Sequence, residues 1–208
     1  MLGRRRATIG PIPPSDPRMT ARKLPAAAAA TAAEIRSPGT APRDDARAYR
    51  SALGHYPTGV TIVTTRRAGG EPVGLTANSF SSVSLDPPLV LWSLARRSGS
   101  LEAFEGSSHY AINILASDQR HLSQRFATPS LEKYEGVQWT PGPGGAPLIG
   151  GAAVQLVCAN YRRMEGGDHV IFLGEVLEFV VAGRPPLIFC QGRYVMTPAE
   201  LDPTASPP

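Results

Sequence analysis

Long apolar runs are missing from this 208-residue sequence. None approaches the ~18 consecutive apolar residues of a membrane-crossing helix, so no membrane span is expected. Cysteine is nearly absent. Cys158 and Cys190 sit in apolar runs without a CxxC or Cys/His spacing, the pattern of buried thiols in a reducing compartment. The four histidines, His55, His109, His121 and His169, show no HxxxH or His/carboxylate spacing, so no metal site is expected. No GxGxxG follows a strand, and there is no GxxxxGK[ST] and no GxSxG. A Rossmann dinucleotide site, a P-loop and a hydrolase nucleophile elbow therefore all lack support. After Arg4-Arg5-Arg6 come Pro11, Pro13, Pro14 and Pro17, where a signal peptide requires an apolar segment. Export is not expected, and a cytoplasmic location is.

Charge is unevenly placed. Residues 1–50 hold ten Lys and Arg against four Asp and Glu, whereas residues 51–208 hold eleven against thirteen. The basic character thus belongs to the leading segment. A slightly acidic body argues against a nucleic-acid partner, which requires a basic face on the fold itself. Residues 1–43, rich in Pro, Ala and Arg, have too few large apolar side chains to offset ordering entropy and are expected to be a disordered tail. Residues 197–208 read as a frayed end, which leaves 44–196 as one folded domain, 42% hydrophobic and 18% charged residues being the mix of a globular chain.

Within that domain strands dominate. Asp44 to His55 has helical spacing. "GVTIVTT" (59–65) and "PVGLTANSF" (72–80) read as a hairpin around Gly69-Gly70, and "PPLVLWSL" (87–94) as a central strand entered through its prolines. "SLEAFEG" (100–106) is a short helix with Ser100 as N-cap, "HYAINIL" (109–115) a strand, and "SDQRHLSQRFA" (117–127) a helix capped by Ser117. A Gly/Pro loop (139–151) follows. Two long strands (152–164 and 168–182) joined at Glu165-Gly166-Gly167, and a last strand (186–195), complete the set. Six to eight strands with two or three short helices, and no βαβ alternation, predict a mainly β fold built as an antiparallel barrel.

One stretch demands an explanation: "GLTANSFSSVSLDPPLVLWSL" carries small polar residues without charge from Gly74 to Asp86. It reads as a buried wall rich in hydrogen-bonding groups, suited to a neutral heterocycle and its phosphate. Thr76, Asn78 and Ser79 are candidates for ring carbonyls and nitrogens. Ser98 and Ser100 are either helix caps or, with Arg125, phosphate ligands. His169 at the start of a strand is either a surface histidine or a group that orients a nicotinamide.

"YPTGVTIVTT", "GEPVGLTANSFSSVSLDPPLVLWSL", "AINILASDQRHLSQRFA", "GGDHVIFLGEV" and "PLIFCQGRY" occur in an order that resembles the short-chain flavin reductases, the reductase components of two-component flavin monooxygenases. The resemblance spans about Asp44 to Val195. It implies a flavin-binding split β-barrel, a homodimer, and hydride transfer from NADH or NADPH to FMN or FAD. Reduced flavin would pass to a monooxygenase partner. Matched by motif, flavin is implied along Pro72, Val73, Gly74, Leu75 and Thr76, and at Asn78 and Ser79. Further flavin contacts are implied at Ser93, Leu94, Ala95, Gly99, Ser100, Arg125 and Phe126. The nicotinamide cofactor is implied at His169, Phe189, Cys190, Gln191 and Gly192, with His169 the catalytic-site residue. Two alternatives stay open on the same barrel: an oxidoreductase that keeps FMN tightly bound, and a non-catalytic flavin carrier.

Overall fold

The computed structural model describes residues 39–130 and 132–195, so most of the expected tail and the whole of the expected frayed end lie outside the described residues. The chain divides into two units, Met1–Asp45 and Ala46–Pro208. All elements named below belong to the second.

Helix α1 (Ala46–Leu53) leads into β1 (Thr58–Gly59), β2 (Thr61–Arg66), β3 (Pro72–Ala77), β4 (Ser81–Leu85) and β5 (Pro88–Ala95). Helix α2 (Leu101–Gly106), β6 (His109–Ile114) and helix α3 (Arg120–Ala127) follow. Then come β7 (Trp139–Pro141), β8 (Pro147–Ile149), β9 (Val154–Gly166), β10 (His169–Val181), β11 (Ile188–Cys190) and β12 (Arg193–Val195). Seven strands form one sheet in the order β3-β2-β6-β9-β10-β5-β4. Smaller sheets of β1-β11-β12 and β7-β8 flank it. Every ladder among the described residues is antiparallel. The fold is mainly β with three short α-helices, as the strand-rich sequence implies.

The sheet buries both faces near its middle. Successive side chains of a strand point to opposite faces, so Ile62 and Val63 on β2, both fully buried, enter different cores. One core is aromatic: Trp92 stacks on Phe172 at 4.8 Å and meets Phe104 edge-on, also at 4.8 Å. The other gathers Ile62, Leu115, Phe126, Ile149 and Leu187 beneath α3. Each such side chain contributes about 1.5–3 kcal/mol on burial. Between strands, Asn113 is fully buried yet satisfied. Its amide donates to the Ile62 carbonyl (3.0 Å) and its Oδ1 accepts from the Ile149 N–H (2.8 Å).

That amide and Thr64, whose hydroxyl donates to the Pro147 carbonyl (2.5 Å), explain a first departure from the sequence reading. The expected Gly/Pro loop of 139–151 is an ordered hairpin, β7–β8, anchored from below. The expected last strand is likewise a hairpin, β11–β12, turning through Gln191 (φ 50°) and Gly192 (φ 75°). The long hairpin β9–β10 turns at Gly167-Asp168, because His169 pairs with Gly166. Ser117 is not the cap of α3; the helix begins at Arg120 with Gln119 at its N-cap, and the Gln119 Oε1 accepts from the Ala116 N–H (3.0 Å) instead. Ser100 holds the N-cap position of α2, but its hydroxyl makes no capping bond. Finally, the polar run does not stay buried. Asn78 and Ser79 in the turn after β3, and Ser81 and Ser82 on edge strand β4, lie exposed inside the stretch expected to be buried.

Candidate functional site

β3 is an edge strand, so the outward backbone groups of residues 72–77 have no ladder partner. Beside it opens a cavity of about 1380 Å³, lined by residues 72–79 of β3 and its following turn, by Ser93, Leu94 and Ala95 of β5, and by Gly99, Ser100, Phe126 and His169. Nearly every residue implied for flavin thus lies around one space. Arg125 is the exception: its guanidinium donates to the Glu135 carbonyl, and it is not among the lining residues.

The wall is built by internal bonds as well as exposed ones. The Thr76 hydroxyl donates to the Ser123 carbonyl (2.6 Å) and ties β3 to α3. Ser79 joins the turn after β3 to β5: its Oγ accepts the Ser93 N–H (2.9 Å) and donates to the Ser93 carbonyl (3.2 Å). The donor hydrogens of both hydroxyls are therefore committed within the protein. Gly74 is required by packing. A Cβ at this position would stand 2.7 Å from both Phe126 Cε1 and the Tyr134 hydroxyl. Phe126, fully buried, is the backing of the wall.

Sequence reasoning missed the charged rim. Arg67, Arg97 and Lys133 all line the cavity, against one carboxylate, Glu71. This positive balance sits in a body that is slightly acidic by sequence. Lys133 donates to the carbonyls of Phe126 (2.9 Å) and Gly74 (3.3 Å), and burial lowers its pKa below the usual lysine value. Tyr134 donates to the Val73 carbonyl (2.9 Å), and its ring stands edge-on to Phe126 at 5.0 Å. Two signals pointed to this loop: a lysine and an aromatic next to each other, shortly after the α3 helix. At the other side, the Ser98 Oγ accepts the Ser100 N–H (3.3 Å). The six-residue α2 offers a short dipole, so the arginines are the stronger source of anion attraction here.

His169 reaches the same cavity from the first position of β10, directly across from Ala95 in the ladder. Its Nδ1 lies 2.7 Å from Asp168 Oδ1. This hydrogen bond holds the Asp168 carboxyl below its ordinary pKa. An ionised carboxylate only accepts, so Nδ1 carries the proton and Nε2 is the ring nitrogen left for a ligand. The turn that presents the pair is clamped by Arg96. Its backbone N–H donates to the Asp168 carbonyl (2.9 Å), its Nε donates to the Gly167 carbonyl (3.1 Å), and its guanidinium pairs with Glu165.

The residues implied for the nicotinamide cofactor do not all meet. Phe189, Gln191 and Gly192 line a second cavity of about 650 Å³, with Asn78 common to both spaces. Cys190 is not among the lining residues; its thiol faces the Gly54 carbonyl at 3.8 Å.

A family model described as "Flavin reductase like domain" matches residues 53–198. The reductase component of the flavin-dependent trigonelline monooxygenase of Acinetobacter baylyi is 44% identical over 154 residues, covering 74% of this chain and 49% of that protein. The NADH-dependent FMN reductase SmoA of Agrobacterium fabrum is 42% identical over 151 residues, 73% of this chain and 86% of that protein. Among solved structures, the NADH:FAD oxidoreductase SgcE6 of Streptomyces globisporus, in complex with NAD and FAD fragments, superposes with a TM-score of 0.72. It is 39% identical, and the match covers 77% of this chain and 96% of that one. The chain spans about half the length of some curated relatives that it matches, 49% and 48% for the Acinetobacter protein and a probable flavin reductase of Rhizobium meliloti.

Proposed function

The chain belongs to the flavin reductase like domain family, and from that premise we propose that it is an NAD(P)H:flavin oxidoreductase that reduces FMN or FAD for a separate monooxygenase. The observation that carries this reading is the first cavity: a backbone edge without a strand partner and neutral polar side chains on one side, three cations against one carboxylate on the rim. That donor set fits a flavin. The ring calls for hydrogen-bonding groups without charge, and the phosphate calls for cations.

A bound flavin supplies the ring that accepts hydride from the reduced nicotinamide, a transfer that requires no protein acid, base or nucleophile. The residues of this chain have three tasks. The β3 edge at Gly74, Leu75 and Thr76 holds and orients the ring plane, with Ser93 to Ala95 closing the opposite side. Arg67, Arg97, Ser98 and Ser100 hold the phosphate. Lys133 adds positive charge next to the β3 carbonyls, where it offsets negative charge gained on reduction. His169, its proton fixed on Nδ1 by Asp168, presents Nε2 to the nicotinamide and positions it.

Homodimer formation belongs to this proposal. Val83 and Leu85 on edge strand β4, and Phe179, Val180 and Val181 on β10, are exposed apolar side chains, 88% for Leu85. Exposed apolar side chains such as these are candidate contacts for a subunit interface. Two free thiols, one buried and one half-buried, agree with a reducing cytoplasm. No helix among the described residues is long and apolar enough to cross a membrane.

The test is a flavin titration of the purified, dialysed chain. Flavin that exchanges on dialysis and rebinds with saturation supports a diffusible-flavin reductase. A yellow protein that retains flavin through dialysis supports the tightly bound alternative, and absence of any flavin binding overturns both.

A further inference from the structure

Two hydroxyl groups, on Ser123 and Tyr194, lie outside both cavities yet connect the elements that wall them. The β11–β12 hairpin brings Phe189, Gln191 and Gly192 to the second cavity. Its strands are three residues each, and β12 is the edge of its small sheet. A hairpin that short is marginal on its own, so side chains must help to fix where it sits. At its turn the Gln191 N–H donates to the Gly54 carbonyl (2.7 Å) and holds it to the end of α1. On β12 the task falls to Tyr194. Its half-buried ring stands edge-on to Phe189 at 5.3 Å, and the Arg120 guanidinium lies 5.1 Å over its face. Its hydroxyl forms a 2.8 Å hydrogen bond with Ser123 Oγ.

Ser123 is fully buried in the middle of α3, a place where serine gains nothing for the helix. A buried hydroxyl without a partner is costly, and Tyr194 supplies the partner. The same residue also faces the flavin wall, because its carbonyl accepts the Thr76 hydroxyl at 2.6 Å. One residue of α3 is thus bonded on one side to β3 and on the other to β12. Resting on the reductase reading of the first cavity, we propose that Tyr194 is a positioning residue for hydride transfer. Through Ser123 it fixes the β11–β12 hairpin against the wall formed by α3 and β3. Among the described residues β12 pairs with β11 alone, so the Tyr194 hydroxyl sets its distance from α3. A satisfied buried polar bond specifies one arrangement, where an apolar contact would let the hairpin slide. Hydride transfer is sensitive to displacements of about 1 Å, so the two walls have to be held in register.

The test compares the full wild-type chain with Tyr194→Phe, which keeps the ring and removes only the hydroxyl, with Ser123→Ala and with the double variant. Thermal melts verify that each folds. We expect Tyr194→Phe to raise KM for NADH about fivefold, the equivalent of one hydrogen bond, with FMN affinity unchanged. Ser123→Ala should act in the same direction, and the double variant should be no worse than the more affected single one. A hydroxyl with a purely structural role would lower Tm and leave KM where it is. Hydrogen exchange followed by mass spectrometry reads the joint without any turnover: amides of 188–195 should exchange about fivefold faster in Tyr194→Phe, and those of β2 at the wild-type rate. An unchanged KM, a loss of FMN affinity as large as the rise in KM, or additive effects in the double variant overturns the inference. Unchanged exchange at 188–195 overturns it as well. Faster exchange there in a chain whose wild type reduces no flavin upholds the joint and overturns the reductase reading.

Discussion

Replacing Gly74 by alanine tests whether the flavin wall is set by packing behind it. The added Cβ would meet Phe126 Cε1 and the Tyr134 hydroxyl at 2.7 Å and Phe126 Cδ1 at 2.9 Å, where ordinary contact begins at 3.4 Å. Neither neighbour yields easily. Phe126 is fully buried in the core beneath α3, and the Tyr134 hydroxyl is held by the Val73 carbonyl at 2.9 Å. Overpacking of this kind costs about 1–3 kcal/mol, and displacement of Tyr134 adds about 1 kcal/mol for the lost hydrogen bond. At a domain of this size each kcal/mol shifts Tm by roughly 2–4 °C, so a mid-range total of about 3 kcal/mol lowers Tm by about 6–12 °C. Relief of strain by moving β3 outward would also narrow the cavity, so FMN affinity should fall with stability. Thermal melts followed by circular dichroism, with FMN titration by fluorescence, read both quantities. A Phe126→Leu change in the alanine background removes the clashing ring atoms and should recover part of the loss. An alanine variant as stable as the wild type, with unchanged FMN affinity, would refute the reasoning.

Three other outcomes are expected. Asn113→Ala leaves the buried Ile149 N–H and Ile62 carbonyl without the amide and should cost about 2–3 kcal/mol in urea unfolding; a loss under 0.5 kcal/mol would be inconsistent with its anchoring role. His169→Ala should raise KM for NADH more than it weakens flavin binding, and the reverse pattern in steady-state kinetics would remove its assignment to the nicotinamide. Burial pushes the Cys158 thiol from 9.0 up to about 12. Between these values the unfolded chain releases a proton that the fold retains, so stability falls as pH rises from 9 toward 12. Urea melts across that range should show a shallower decline for Cys158→Ala; buried Tyr110 and Tyr134, whose pKa values are also raised by burial, keep some slope in place.

The strands that carry the site were legible because their residues left few choices. "TIVTT" is β-branched throughout and is buried on both faces, and the uncharged Pro72–Ala77 run beside it became the cavity wall. Its polar continuation misled in part. Ser81 and Ser82 have the same composition as Thr76 and Ser79, and only the β4–β5 pairing shows that they lie on an exposed edge. The 139–151 hairpin was illegible for another reason: its short strands are held by Asn113 and Thr64 on distant elements, not by a local pattern. The cations were the main omission. Arg67, Arg97 and Lys133 come from three separated loops, and nothing in their spacing announces that the fold gathers them around one space. Arg125, attractive on its helix, instead turns to the Glu135 carbonyl. The split between His169 and Gln191 depends on where two hairpins end, which is tertiary information.

The most direct test of the account is oxidation of NADH and NADPH by the purified chain, with and without added FMN or FAD, followed by the near-ultraviolet absorbance of the reduced nicotinamide. The account predicts turnover that appears only with added flavin and saturates with it. No turnover with any pairing, from a folded protein that binds flavin, would contradict it.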